Sequence, residues 1–337
     1  MSPVVKQAVC NAERLQLRLL QTDQYLEAKK HMVHYWACSS REQYTQLERE
    51  GKGVFDLPTY DPEAFEILVP SSFGDHSVPL RVIQPRGKQA RGVFLFIHGG
   101  GFVIGSAALH DNLLRDLAER TNLILVSVEY RLAPEFKLPA AADDCLDAAV
   151  YLLSDDARGK IGHTLQFIGG ESAGAYLTVQ TTLRLRDEKN IDVGTALAGI
   201  VPTYGIFDLS LLPGVRLGRE KVGDAPNKQG ENFMWLSLPA DVFGSLDEIK
   251  KSEWSPLYNF NLRGLPPATF GVGAEDPLID DNILMAAKWE LAGNEAELIV
   301  YPGSPHGYLV VDLDVTAEAI DDIVKFVKAR LTGESFL

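Results

Sequence analysis

Short, fully apolar runs alternate along the chain with longer stretches in which apolar residues recur at helical spacing. The run 93–97 is apolar at every position, which is typical of a strand buried on both faces. The stretch 140–153 has the spacing of a helix. This alternation predicts an α/β fold with a mostly parallel central sheet and helices on both faces. The predicted strands are 64–69, 78–84, 93–97, 123–128, 165–168, 197–201, 269–272 and 298–301, and the helices are 112–120, 140–153, 173–185, 282–291 and 315–331.

Two segments break this alternation. The first fifty or so residues are predicted to be helical, because residues 8–30 carry apolar positions at near-helical spacing with charges between them. Residues 208–253 are polar, are interrupted by Gly and Pro, and lack a strong strand pattern. We expect this second segment to be an insertion above the sheet that folds with the N-terminal helices.

Composition and charge mainly exclude classes of function. The 337 residues are 46% hydrophobic and 23% charged, as in an ordinary globular enzyme. With 32 basic against 46 acidic residues and no basic cluster, nucleic-acid binding is not expected. The cysteines Cys10, Cys38 and Cys145 have no metal-ligand spacing, so no metal site is expected. Because no apolar run is long enough to span a membrane and residues 1–30 lack a signal-peptide core, we expect a cytoplasmic protein without stable membrane insertion.

The strongest chemical signal is the pattern G-E-S-A-G at 170–174, between a predicted strand and a predicted helix. A serine on such a sharp turn is lifted above the sheet edge, and the flanking glycines let the chain turn without a side-chain clash. Ser172 is therefore a candidate nucleophile, with the helix N-terminus behind it favouring negative charge. The alternative is a glycine turn that only packs a helix on the sheet.

A second signal, H-G-G-G-F at 98–102, directly follows the strand 93–97. Consecutive glycines leave backbone N–H groups uncovered, so an oxyanion can approach them closely. We expect the N–H groups of Gly100, Gly101 and Ala173 to form an oxyanion hole, and Gly99 could replace one of them. A plain glycine turn is the competing interpretation, whereas the spacing does not fit a dinucleotide-binding or P-loop phosphate site.

A nucleophilic serine needs a base and an acid. His306 lies in a Pro/Gly-rich loop just after the last strand, and Asp276 lies in the segment 273–278 at the end of the strand 269–272, with Glu275 as its competitor. The order Ser172, Asp276, His306 is that of an α/β-hydrolase triad. The other histidines are predicted to be non-catalytic: His98 holding the glycine loop, His110 in the cap region of a helix or at the surface, and solvated side chains at His31, His34, His76 and His163.

These motifs together resemble those of the hormone-sensitive lipase-like family of α/β-hydrolase carboxylesterases. The resemblance extends over about residues 65–330 and includes Y-R-L-A-P-E at 130–135, L-P-A-A at 138–141 with Asp144, D-P-L at 276–278 and H-G-Y at 306–308. The block 130–144 has no catalytic role that its residues reveal, and we expect it to set the helix behind the nucleophile. One departure is that Glu171 and Ala175 stand where the family most often has G-D-S-A-G-G.

The resemblance implies an α/β-hydrolase core with a helical cap. The expected division is 1–55 as the N-terminal cap part, 56–207 and 254–337 as the core, and 208–253 as the cap insertion. It also implies a small ester as substrate, no cofactor, and an assembly compatible with a homodimer. Aromatic and apolar residues near the cap either line the substrate pocket or form the cap's own core: Tyr35, Trp36, Phe102, Phe207, Phe233, Met234 and Trp235.

The predicted function is hydrolysis of carboxylic esters through an acyl-enzyme. The resemblance implies short- to medium-chain esters as substrates. The same fold also supports lactonases, amidases, acyltransferases and dehydratases. Receptors that bind a small ligand form another class, in which the catalytic histidine is usually lost. His306 is present in this chain, and this favours the enzyme.

Overall fold

The computed structural model describes residues 4–8, 10–55, 57–215 and 228–332. Its nine strands are β1 (Val4–Gln7), β2 (Phe65–Pro70), β3 (Ser77–Ile83), β4 (Val93–Ile97), β5 (Ile124–Val128), β6 (Leu165–Glu171), β7 (Gly199–Thr203), β8 (Ala268–Gly273) and β9 (Ala296–Tyr301). They form one sheet in the order β1-β9-β8-β7-β6-β4-β5-β3-β2. Only β3 pairs antiparallel with its neighbours, β2 and β5. The predicted mostly parallel α/β sheet is confirmed.

The central strands have the burial that their apolar sequences predict. Every residue of β4, β5 and β7 is buried. The first strand was not predicted: β1 runs parallel to β9, with Val5 opposite Leu298. Residues 4–7 thus belong to the sheet rather than to an N-terminal cap. A four-residue edge strand is held by this distant pairing, and its own short sequence carries no periodic signal.

The α-helices around the sheet include α1 (Ala12–Lys29), α2 (Arg41–Arg49), α3 (Asp111–Thr121), α4 (Ala140–Leu153), α5 (Asp155–Ile161), α6 (Ala173–Asp187), α7 (Val193–Ala196), α8 (Lys228–Ser237), α9 (Ala240–Phe243), α10 (Leu246–Ile249), α11 (Ile279–Leu291) and α12 (Asp314–Thr332). α4 packs against α6, and α3 packs against α12. None of these helices is long and apolar enough to cross a membrane.

A small apolar cluster joins the N-terminal segment to α8 and to the loop after β4. Arg41 of α2 reinforces it: its guanidinium donates to the carbonyls of Val103 at 2.9 Å and Ala133 at 2.6 Å, and to the Glu135 carboxylate at 2.6 Å. The two segments that break the sheet pattern therefore pack on the same glycine-rich loop. Residues 216–227 of the predicted insertion lie outside the described residues.

Candidate active site

Ser172 occupies a sharp turn between β6 and α6. Its backbone has φ 56° and ψ −118°, a conformation that costs energy for any residue with a side chain. A Cβ atom on Gly170 or Gly174 would overlap the Ile97 carbonyl oxygen of the neighbouring strand, β4. The two glycines of the pattern therefore let the strained turn pack against β4, and the predicted strand–turn–helix setting of Ser172 is present.

The side chains of the three predicted triad residues lie within hydrogen-bond distance of one another. Ser172 Oγ is 2.9 Å from His306 Nε2, and His306 Nδ1 is 2.8 Å from Asp276 Oδ2. The other carboxylate oxygen of Asp276 accepts from the Leu278 N–H at 2.7 Å. The Asp276 side chain is fully buried, whereas the His306 side chain is 27% exposed. Glu275, the competing acid, is exposed.

The loop that carries His306 is held from two sides. The Glu275 N–H donates to the Ser304 carbonyl at 3.0 Å, which ties the loop after β9 to the loop after β8. From α1, Thr22 Oγ1 donates to the Gly303 carbonyl at 2.7 Å, and the buried Arg18 bonds Asp314 at 2.8 Å. The N-terminal helix therefore helps to place His306.

Tyr204 is a neighbour of His306 that the sequence analysis missed. Its ring meets the imidazole edge to face, with centroids 5.0 Å apart. Its hydroxyl oxygen accepts from the Leu309 N–H at 3.3 Å. Tyr204 directly follows β7, and a position just after a parallel strand is the signal in the sequence that could have indicated a place near the site.

The glycine loop after β4 has its carbonyl groups held on one side. The Gly99 carbonyl accepts from His98 Nδ1 at 2.8 Å, and the Gly100 carbonyl accepts from the N–H groups of Val103 and Ile104, both at 3.1 Å. In a planar trans peptide the N–H points opposite to the C=O. The N–H groups of Gly100 and Gly101 therefore point away from these contacts.

These N–H groups are available for a ligand. No described residue accepts a hydrogen bond from the N–H of Gly100, Gly101 or Ala173. Gly100 and Gly101 have φ of 102° and 60°, in the left-handed region that favours glycine. The Gly99 N–H, by contrast, donates to Glu171 Oε1. Gly99 therefore has no free N–H to offer an oxyanion.

Glu171 and His110 form a second histidine–carboxylate pair, 3.2 Å apart and buried. His110 was predicted to lie in a cap region or at the surface, and the surface alternative is wrong, because only 5% of the residue is exposed. Burial opposes ionisation of Glu171, but the hydrogen bond and charge of His110, with contributions from His306 and the Gly99 N–H, lower its pKa below the usual value. His110 and the Gly99 N–H therefore favour the charged form of the Glu171 carboxylate.

An aromatic stack covers the glycine loop. The Phe233 ring lies so close to Gly101 that a Cβ atom there would overlap it. Phe233 meets Trp36 edge to face at 4.9 Å, and Trp36 stacks on His34 at 4.4 Å. His34, which was predicted to be solvated, is half-buried in this stack, and burial, with the nearby charge of Lys29, lowers its pKa to about 4.

The other pocket candidates lie further from the loop or within the core. Trp235 is 58% exposed, and Tyr35 is buried with its hydroxyl donating to Glu135 at 3.1 Å. Phe207 packs against Phe270 with centroids 6.1 Å apart, and Phe102 packs against Tyr176 at 5.2 Å. Core packing accounts for the burial of Phe102 and Phe207. Met234 is also buried in the main core.

The block 130–144 supports the glycine loop. Tyr130 donates its hydroxyl to the His98 carbonyl at 2.8 Å and stacks on the His98 ring, as expected if His98 holds the loop. The Ala133 N–H donates to the Phe102 carbonyl at 2.9 Å. Asp144 of α4 accepts from the Arg131 backbone at 2.8 Å and from its guanidinium. The block therefore ties α4 to the loop.

No group of three or more His, Cys, Asp or Glu among the described residues could hold a metal ion.

A model of the alpha/beta hydrolase fold family matches residues 94–310. Among solved structures, the thermostable carboxylesterase EstE1 from a metagenomic library is 26% identical, with a TM-score of 0.73 and coverage of 88% of this chain and 98% of its own.

Two further solved structures are similar over nearly their whole length. A bacterial heroin esterase is 26% identical, with a TM-score of 0.74 and coverage of 92% of this chain and 97% of its own. A hyperthermophilic esterase from the archaeon Pyrobaculum calidifontis is 24% identical and shares the fold, with a TM-score of 0.72 and coverage of 97% and 99%.

The sheet, the serine turn and the family match define the class of the protein as an α/β-hydrolase. The chain belongs to the hormone-sensitive lipase-like family of α/β-hydrolase carboxylesterases, so the family resemblance seen in the motifs is confirmed.

Proposed function

We propose that the protein is a serine carboxylesterase that hydrolyses small carboxylic esters through an acyl-enzyme. The observation that carries this proposal is the line of hydrogen bonds from Ser172 Oγ through His306 to Asp276, next to the free N–H groups of Gly100 and Gly101. A nucleophile, a base, an orienting acid and oxyanion donors are what acyl transfer requires.

In the proposed reaction, His306 Nε2 takes the hydroxyl proton as Ser172 Oγ attacks the ester carbonyl carbon. The carbonyl electron pair moves onto oxygen, where the N–H groups of Gly100, Gly101 and Ala173 stabilise it, each by about 3 kcal/mol in a dry site. The carbon–oxygen bond to the alcohol then breaks, and His306 donates its proton to the leaving oxygen. A water molecule then attacks the acyl carbon while His306 takes its proton, and the acid leaves as His306 returns the proton to Ser172 Oγ. Asp276 stabilises the imidazolium in both halves of the reaction.

The N-terminal segment and the 208–253 insertion act as the cap in this proposal. Phe233 lies against Gly101 of the glycine loop and Trp36 packs on Phe233, which favours short to medium acyl chains over long ones. The remaining candidates are either exposed or packed against other residues: Tyr35, Phe102, Phe207 and Trp235. We therefore propose Phe233 and Trp36 as the nearer wall of the pocket.

The test is hydrolysis of p-nitrophenyl esters from acetate to palmitate by the wild type and Ser172→Ala. We expect turnover that peaks at short acyl chains and is lost in the variant, with unchanged folding by circular dichroism. Mass spectrometry after diethyl p-nitrophenyl phosphate treatment should place one phosphoryl adduct on Ser172. A folded wild type that neither turns over esters nor forms the adduct would contradict the proposal, and ligand binding without turnover would indicate a receptor.

A further inference from the structure

We propose that Glu171 is a positioning residue for the oxyanion hole: its carboxylate fixes the Gly99 N–H, and through it the direction of the Gly100 and Gly101 N–H groups. This inference rests on the proposed function. It assigns a role to the residue at which this chain departs from the commonest family pattern.

The sheet register brings Glu171 to the glycine loop. β4 and β6 are neighbours, with Ile97 opposite Gly170, so the next residue of β6 lies beside the start of the loop. The Glu171 carboxylate lies against the Gly99 Cα, because a Cβ atom on Gly99 would overlap both of its oxygens. The φ of Gly99 lies outside the left-handed region, so glycine is required there for space alone.

Three successive peptide units of the loop are held in this way. The His98–Gly99 unit has its carbonyl bonded by the Tyr130 hydroxyl and its N–H bonded by Glu171. In the next two units the carbonyl oxygens accept hydrogen bonds within the loop segment, and these units carry the free N–H groups. The first unit joins the second at the Gly99 Cα, so holding the first unit fixes the point from which the second, which carries the Gly100 N–H, begins.

The charge of Glu171 strengthens this hold. A hydrogen bond to a carboxylate is stronger than one to a neutral acceptor. Glu171 is only 2% exposed, so water has little access to replace it as acceptor for the Gly99 N–H. His110 Nε2 lies 3.2 Å from the same carboxylate oxygen and gives it a second hydrogen-bond partner.

The test compares Glu171→Met, which keeps the approximate shape but removes the acceptor, with Glu171→Gln, which keeps an acceptor of the same length. Active sites are counted with diethyl p-nitrophenyl phosphate, so that kcat refers to folded sites. We expect Glu171→Met to lower kcat by about 10- to 100-fold with little change in KM, since misplaced oxyanion donors affect the transition state most. Glu171→Gln should restore kcat to within about threefold of the wild type.

Affinity for phenylboronic acid, which forms a tetrahedral adduct on a serine, should fall in Glu171→Met by the same factor as kcat. The matched control is Glu129→Met, which removes a carboxylate that accepts the Ala107 N–H at 2.7 Å outside the glycine loop. Its kcat per active site should stay within about twofold. A purely structural role for Glu171 would lower thermal stability in Glu171→Met but leave kcat per site unchanged, and that result would overturn the inference.

A double-mutant cycle gives a second measurement. Gly99→Ala should displace the Glu171 carboxylate and lower kcat. When Glu171→Ala has already shortened that side chain, the methyl group that Gly99→Ala adds has no carboxylate to displace. We therefore expect the double variant to match Glu171→Ala alone, and independent, multiplying effects would overturn the inference. If the wild type itself forms no adduct on Ser172, the proposed function fails instead, so the two failures are distinguishable.

Discussion

Two histidine–carboxylate pairs adjoin Ser172, one through the His306 hydrogen bond and one through the neighbouring Glu171, and they differ in solvent access and in their remaining partners. His306 and Asp276 are 2.8 Å apart, and the free nitrogen of this histidine faces the serine hydroxyl. His110 and Glu171 are 3.2 Å apart and buried, and the carboxylate binds a backbone N–H of the glycine loop. The same chemical groups thus occupy one strand-end edge in two different settings.

The difference teaches that solvent access and the third partner decide what such a pair can do. The His306 side chain is 27% exposed, as the proton exchange proposed for it requires, whereas the His110 side chain is 4% exposed. A pair that holds backbone in the core contributes rigidity, and removing one member leaves a buried charge. Loss of the open pair should therefore affect activity most, and loss of the closed pair should affect stability most.

Breaking the open pair should have the largest effect. Asp276→Asn keeps the shape but favours the wrong imidazole tautomer and removes the charge that stabilises the imidazolium, so we expect kcat to fall by about 10⁴-fold. Steady-state kinetics on p-nitrophenyl acetate measures this, with Glu275→Gln as the control because that neighbouring carboxylate is exposed. Activity within tenfold of the wild type in Asp276→Asn would refute the assignment of the acid.

Breaking the closed pair should cost mainly stability. His110→Phe keeps a ring that can pack on Phe96 but leaves the buried Glu171 carboxylate without its histidine partner, so we expect a loss of about 3 kcal/mol in the free energy of unfolding. Activity should fall less than in Glu171→Met, because the carboxylate still binds Gly99. Urea denaturation followed by fluorescence measures the change.

The control for this variant is His76→Phe. His76 is 3.0 Å from Asp144, but its side chain is 24% exposed and Asp144 keeps the Arg131 guanidinium. We expect a cost of less than about 1 kcal/mol there. Equal losses in the two variants would show that burial of the pair does not set its importance.

The sequence predicted the sheet and the positions of the motif residues for a physical reason. Continuous apolar runs such as 93–97 mark strands buried on both faces, and parallel strands bring the residues after them to one edge. Ser172, Asp276 and His306 each follow such a strand, so local patterns sufficed to bring them together. The resemblance to the family then made the choice among the histidines specific.

Features that depend on distant packing could not be predicted in this way. The buried partner of His110 is Glu171, which comes from β6, distant in the sequence. No pattern around His110 indicates this contact. The run 233–236 is apolar at all four positions, so its sequence could not decide between Phe233 and Trp235 as the neighbour of the glycine loop. Two residues apart on α8, they point in nearly opposite directions.

A third carboxylate, Asp281, extends the comparison, because its hydrogen bonds come from the N–H groups of Phe207 and Asp208 instead of a histidine. Burial, with smaller contributions from Asp208 and Asp276, raises the pKa of Asp281 to about 8, although the amide bonds oppose this. The folded protein then keeps a proton that the unfolded chain loses above about pH 4.

Stability should therefore fall as pH rises from about 4 to 8, by up to about 1.4 kcal/mol per pH unit from this group. Asp281→Asn keeps an acceptor for both N–H groups and cannot ionise, so its stability relative to the wild type should rise across that range. Urea denaturation at pH 5, 6, 7 and 8 measures the difference, with Asp280→Asn as the control, whose carboxylate accepts the Gly214 N–H at 2.7 Å. If the stabilities of the wild type and Asp281→Asn changed in parallel over this range, burial without a histidine partner would not raise the pKa of Asp281, and its contrast with Glu171 would fail.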